Sequence, residues 1–313
     1  MLKFNSNKRY NNYTAFIRET FGERVQKISL NTGFTCPNRD GSKGIGGCTY
    51  CNNNTFSPNY TKASKSIKQQ LDEGIAFFSK KYKSQKYLAY FQSYTNTYAD
   101  YDLVKTLYRT AIEHPDVVGL VIGTRPDCIN ENIINYLSEI SKKYFVSLEF
   151  GVESTLDKTL LEINRCHTYQ ETIDAYEMAK NKGLHLGAHI IMGLPGESRE
   201  EILNHARIIS KLPIKTLKLH HLQIVKHTMM AIQYKNNPDR FNLFDSEEYI
   251  DFITEFIALV RPDIILERFI SESPQNLLVA PKWNGLKNFE IVDKIDKKLK
   301  EKNLWQGKNY QII

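Results

Sequence analysis

The chain has 313 residues, 41% of them apolar, which is enough to bury a substantial core in one or two domains. No apolar run reaches the roughly 18 residues that cross a bilayer, and the polar start MLKFNSNKRYNNY lacks a signal-peptide core, so the cytoplasm is the expected location, with no membrane partner. The formal net charge of +7 suits an anionic partner such as nucleic acid, although lysines spread this evenly are equally a solvated surface.

In chain order, short apolar runs alternate with segments of helical spacing. The spacing predicts strands over Val25–Leu30, Tyr87–Gln92, Val117–Ile122, Phe145–Phe150, Leu184–Ile191 and Thr216–Leu219. It predicts helices over Ser66–Tyr82, Tyr101–His114, Asn130–Lys143, Tyr169–Lys182 and Arg199–Lys211. Such alternation reads as βα units on a parallel sheet, an α/β barrel, with chemistry expected in the loops after the strands. Beyond about Gln233 the alternation fades into a helix over Ser246–Val260, a run over Ile264–Ile270 and a Lys-rich terminal helix. The organisation expected is an N-terminal extension (1–24), a barrel (25–232) and a small C-terminal subdomain (233–313).

Five cysteines, an odd number, argue against a disulfide framework. Cys36, Cys48 and Cys51 fall in one loop with the spacing C-x11-C-x2-C. Three thiolates leave one iron of a four-iron cluster free for a small chelating molecule. Gly41, Gly44, Gly46 and Gly47 would let the backbone take positive φ around an inorganic core. The competing reading is a zinc knuckle, which needs a fourth ligand from elsewhere. Cys128 and Cys166 read more simply as inert thiols, and His220, His221 and His227 lack carboxylates at ligand spacing.

Several blocks recur in order: CPNRDGSKGIGGCTYCN, SYTNTYA, GTRPDC, LEFGVES, NRCHT and HIIMGLPGE. Through them the segment from Asn31 to Leu222 resembles the radical S-adenosylmethionine (SAM) superfamily. The similarity is to the branch with the Elongator catalytic subunit and oxygen-independent coproporphyrinogen oxidase, and to a bacterial family with the same long-spaced cysteine loop.

The resemblance implies a partial (β/α)6 radical SAM barrel with a small C-terminal α+β subdomain. It also implies a [4Fe–4S] cluster on Cys36, Cys48 and Cys51, with SAM on the open iron. Tyr50 is then placed to pack on adenine, and Ser93, Tyr94, Thr95 and Asn96 to meet the SAM amino group, without the usual paired glycines. Glu153 and Arg165 match SAM-binding positions, His189 a ribose-side position, and Gly193 and Gly196 the adenine turn. For Glu153, Arg165 and His189, salt bridges or a satisfied core histidine are the bland alternatives; a turn and helix start would account for the two glycines. Arg268 and Trp283 are candidates to close the barrel mouth.

The expected activity is reductive SAM cleavage, fed by a low-potential donor such as flavodoxin or ferredoxin. The substrate suggested is tRNA, since a Gram-positive branch of the family is associated with remodelling the carboxymethylaminomethyl group of the wobble uridine. Lys215, Lys218, Lys226, Arg268 and Lys282 would then meet phosphates. Radical chemistry on a porphyrinogen-like small molecule and a non-catalytic, zinc-stabilised RNA-binding module are the alternatives.

Overall fold

The computed structural model describes residues 4–80, 82, 85–283 and 285–311. Seven parallel strands form one sheet: β1 (Val25–Leu30), β2 (Lys86–Phe91), β3 (Val117–Thr124), β4 (Phe145–Glu153), β5 (His185–Met192), β6 (Thr216–His221) and, beyond a short β7 (Ile224–Val225), β8 (Ile265–Arg268). All six expected strands are present, within three residues at each end. The seventh, β8, comes from the stretch assigned by sequence to the C-terminal subdomain and pairs parallel with β6. β7 pairs antiparallel with β9 (Leu278–Ala280).

The helices between the strands cover the outside of the sheet: α2 (Ile67–Ser79), α3 (Tyr101–Ile112), α4 (Glu131–Ser141), α6 (Tyr169–Ala179) and α7 (Arg199–Ile209). Their starts follow from side chains that accept the first free amide hydrogens. Asp100 and Asn130 cap α3 and α4, while Thr168 with Glu171 and Ser198 with Glu201 form reciprocal capping boxes on α6 and α7. α9 (Ser246–Leu259) and α10 (Asn288–Glu301) pack together at the C-terminal side. Three helices are absent from the sequence reading: α1 (Tyr13–Phe21), α5 (Asp157–Glu162) and α8 (Met229–Asn236). Among the described residues, no helix is long and apolar enough to cross a membrane.

Curling of the sheet shows in what crosses its interior. Lys27 on the edge strand β1 pairs with Glu267 on the other edge strand, β8, at 2.6 Å, and with Glu149 on central β4 at 3.0 Å. Lys218 on β6 also pairs with Glu149 and Glu267. Burial works against charge on Glu149, but the two lysines outweigh it and hold the carboxyl well below its usual range. Below this charged layer, α1 plugs the bottom of the half-barrel: Ile17 packs with Leu88, Tyr90 and Val121, and Phe16 stacks on His185 at 4.9 Å. The N-terminal segment also covers the free edge of β8, where Asn11 O accepts from Leu266 N and Asn12 bridges Leu266.

Candidate active site

The loops at the C-terminal ends of the strands surround one open cavity with about 1370 Å³ of space between its walls, counting the part open to solvent. Cys36, Cys48 and Cys51 line it together with Tyr50, Tyr94, Thr95, Glu153, Arg165 and His189. Nine of the residues singled out by sequence are therefore brought to one place from four separate loops and strand ends. Ser93, Asn96 and Gly193 lie outside the lining. Ser93 shares a hydrogen bond with Ser57, Asn96 donates to Gly123 O, and Gly193 (φ 88°) lies against the Phe244 ring, which a Cβ would approach to 3.3 Å.

The cysteine loop is built from its own backbone and a cradle. Cys36 O accepts from Arg39 N, and Gly47 N donates to Asn38 O at 2.7 Å. Gly41, Gly46 and Gly47 take positive φ as expected, but Gly44 does not. What Gly44 provides is closeness, since a Cβ there would sit 2.8 Å from the Cys166 sulfur. The cradle is the turn after α5, where Asn164 and Cys166 take φ of 54° and 57°. Asn164 donates to Ile45 O and Gly47 O, and accepts through its own carbonyl from Asn38.

Each cysteine sulfur accepts from a polar side chain: Cys36 from Thr95 Oγ1 at 3.1 Å, Cys48 from Asn38 Nδ2 at 3.3 Å and Arg165 Nη1 at 3.4 Å, and Cys51 from Asn53 Nδ2 at 3.7 Å. Burial pushes the Cys36 thiol up, and burial with the neighbouring Cys48 pushes Cys51 up to about 12. Arg165 also donates to Gly151 O and His167 Nε2, and pairs with Glu153 at 3.7 Å. Burial and the Arg165 charge hold His167 neutral, its pKa lowered to about 3. Glu153 takes φ 66° and is followed by Ser154, whose hydroxyl donates to buried Glu197 at 2.6 Å. His189 shares a hydrogen bond with Glu149 at 3.0 Å while its ring lines the cavity.

Sequence reasoning missed Arg125. It is 2% exposed, forms two bonds to Asp127 and one to Arg165 O, and its Nη1 is buried without a partner beside the cavity. The signal was an arginine directly after the third strand in GTRPDC, at the end of the barrel where the chemistry was expected. The phosphate-facing lysines are corrected in part. Lys218 is buried in the interior ion layer, and Lys215 sits at the start of β6, the end of the barrel away from the cavity. Trp283 stacks on His221 at 4.0 Å and donates to Phe244 O, pinning the C-terminal segment over the end of β6.

A thiolate-bound four-iron cluster fits this donor set, because hydrogen bonds to sulfur and a spare buried guanidinium nitrogen offset its negative charge. No group of three or more His, Cys, Asp and Glu among the described residues is set to hold a single metal ion. The comparisons with known proteins agree with this chemistry. Residues 30–209 match the radical SAM superfamily model, and residues 214–301 match the radical SAM C-terminal domain. The chain belongs to the radical SAM superfamily. As a member of that superfamily, the protein uses a [4Fe–4S] cluster and SAM. It is 31% identical to YtqA of Bacillus subtilis (strain 168) across 99% of this chain and 95% of that protein. To YhcC of Escherichia coli (strain K12) it is 35% identical across 88% of each. Its fold is shared with Elp3 of Methanocaldococcus infernus (TM-score 0.67, 17% identity, 91% of this chain and 64% of that one). Methylornithine synthase shares it too (TM-score 0.54, 14% identity, 94% of this chain and 86% of that one).

Proposed function

We propose that this radical SAM enzyme modifies tRNA, remodelling the carboxymethylaminomethyl group of a wobble uridine, with Cys36, Cys48 and Cys51 holding the cluster. The observation that carries the radical chemistry is the convergence of three donor-supported cysteines with Glu153, Arg165 and His189 on one cavity. Cys36, Cys48 and Cys51 would hold the cluster, which with SAM would supply one-electron reductive cleavage of the sulfonium and, through it, hydrogen-atom abstraction from an unactivated carbon.

The chain's own residues bind and shield. Thr95, Asn38, Arg165 and Asn53 orient the three sulfurs and offset their charge. Glu153, held at positive φ over Gly151, presents its carboxylate to the cavity, where it suits the cationic and hydroxyl groups of SAM. Tyr50 offers an aromatic face backed by the apolar cluster of Leu160, Ile163 and Leu222. Electrons come from a low-potential donor of the flavodoxin or ferredoxin kind.

Support for the tRNA substrate is the net charge of +7 and the 24% identity, over 60% of this chain, to a Methanocaldococcus infernus protein named tRNA uridine(34) acetyltransferase. That match spans only 34% of the relative. The test is mass spectrometry of tRNA nucleosides from a deletion strain. Accumulated carboxymethylaminomethyluridine with loss of its product supports the reading; an unchanged nucleoside profile rejects it.

A further inference from the structure

The mechanism above leaves one wall of the cavity unused, the part made by β6 and β8. Along an ordinary strand, neighbouring side chains point to opposite faces. The pairing of β6 with β8 is irregular, however: Leu217 faces Leu266, yet the next residue, Lys218, faces Arg268. Such a bulge re-aims side chains, and here both Glu267 and Arg268 reach the inner side. Glu267 is consumed by Lys27 and Lys218. Arg268 lines the cavity and makes no hydrogen bond or ion pair among the described residues. Beside it, His220 Nδ1 shares a hydrogen bond with Ser271 Oγ at 2.9 Å, while His220 Nε2 is buried with no partner.

We infer that Arg268 and His220 form a subsite for a carboxylate of the substrate. The guanidinium presents a planar fork that matches the two oxygens of a carboxylate. With Ser271 Oγ donating to Nδ1, His220 Nε2 carries the proton and donates a further bond. Glu149, Glu267 and Glu272 lie nearby around the same space, so a singly charged planar group is favoured over a dianionic phosphate. A carboxylate held here leaves its attached carbons in the cavity shared with the cysteine loop. The inference rests on the radical SAM reading of that cavity and gives the substrate an anchoring group.

The test uses reconstituted holoenzyme with SAM and two small probes, N-benzylglycine and benzylamine, which share a ring and an amine and differ in the carboxymethyl group. N-benzylglycine is expected to bind at least tenfold tighter, and Arg268→Gln to remove that preference, a loss of about 10- to 100-fold. Arg268→Lys, which keeps the charge without the fork, is expected to fall between. Arg268 is exposed at a strand end, and iron content with circular dichroism checks that each variant is folded. Equal preference in wild type and Arg268→Gln overturns the subsite, as does competition by inorganic phosphate as strong as by N-benzylglycine. An Arg268-dependent preference with no binding of an anticodon stem-loop carrying carboxymethylaminomethyluridine keeps the subsite and rejects the tRNA reading. Turnover of that stem-loop with the same KM in both proteins does the reverse.

Discussion

Cys36, Cys48 and Cys51 are the residues whose proposed role rests most directly on the sequence spacing, and the structure adds the donors that surround them. Alanine at any one of the three is expected to abolish a cluster of about four irons and four sulfides per chain, whereas Cys128→Ser and Cys166→Ser retain it, as measured by iron and sulfide analysis. Arg165 is a different case. Its motif suggests a SAM contact or a salt bridge, and the structure shows the pairing with Glu153 and, beyond either reading, a bond donated to Cys48. Arg165→Ala should therefore weaken SAM binding and also lower the cluster's reduction potential, because a donor to sulfur is lost. Potentiometry separates the two effects, and an unchanged potential would confine Arg165 to SAM. The Cys48 contact was not legible, since it depends on the αL turn at Asn164 and Cys166 folding back over a loop more than a hundred residues earlier. Histidine burial sets a pH dependence. Burial lowers His185 to about 4, below its unfolded value near 6.5. The unfolded chain then binds more protons between those values, so stability is complete above pH 6.5 and falls as the pH drops through that window. For His185 the loss reaches about 2 kcal/mol at pH 5. Chemical denaturation of wild type and His185→Gln at pH 5 and 7 measures that share.

The strands and outer helices are legible because each is long, apolar on the right face and capped by a recognisable side chain. α1, α5 and α8 were missed for a common physical reason: they are short, and tertiary contacts hold them. α1 has nine residues, too few to be stable alone, and gains its place from Phe16 and Ile17 under the barrel. At the end of β4 the limiting feature is space. A Cβ on Gly151 would stand 2.5 Å from a Glu153 oxygen and 2.7 Å from Arg165 Nη2. Gly151→Ala is expected to displace both side chains and lower SAM affinity about tenfold or more with the secondary structure intact; calorimetric titration with SAM reads this out, and wild-type affinity would show that the pair is not needed for binding.

For the whole molecule, the parallel half-barrel is evident from the sequence pattern, but its charged interior is not, because Lys27, Lys218 and Glu267 read along their strands as ordinary solvent-facing positions and nothing in the spacing joins them to Glu149. Removing one partner of a buried set leaves an uncompensated charge. Lys27→Ala should destabilise the protein by about 3–5 kcal/mol, and pairing it with Glu267→Gln should recover part of that, as a double-mutant cycle of urea unfolding would show. The Lys27–Glu267 link also has a temporal side. Its partners are 240 residues apart, and at the usual rate of synthesis the second follows the first by roughly 10 to 50 s. From the synthesis of Cys166 onward the cysteine loop and its cradle already exist, while the sheet still presents an unpaired edge and the interior lysine has no carboxylate across the seam. The nascent chain is thus chemically equipped before it is sealed, and it is during those seconds, rather than in the finished enzyme, that its strands are most open to pairing with the wrong neighbour.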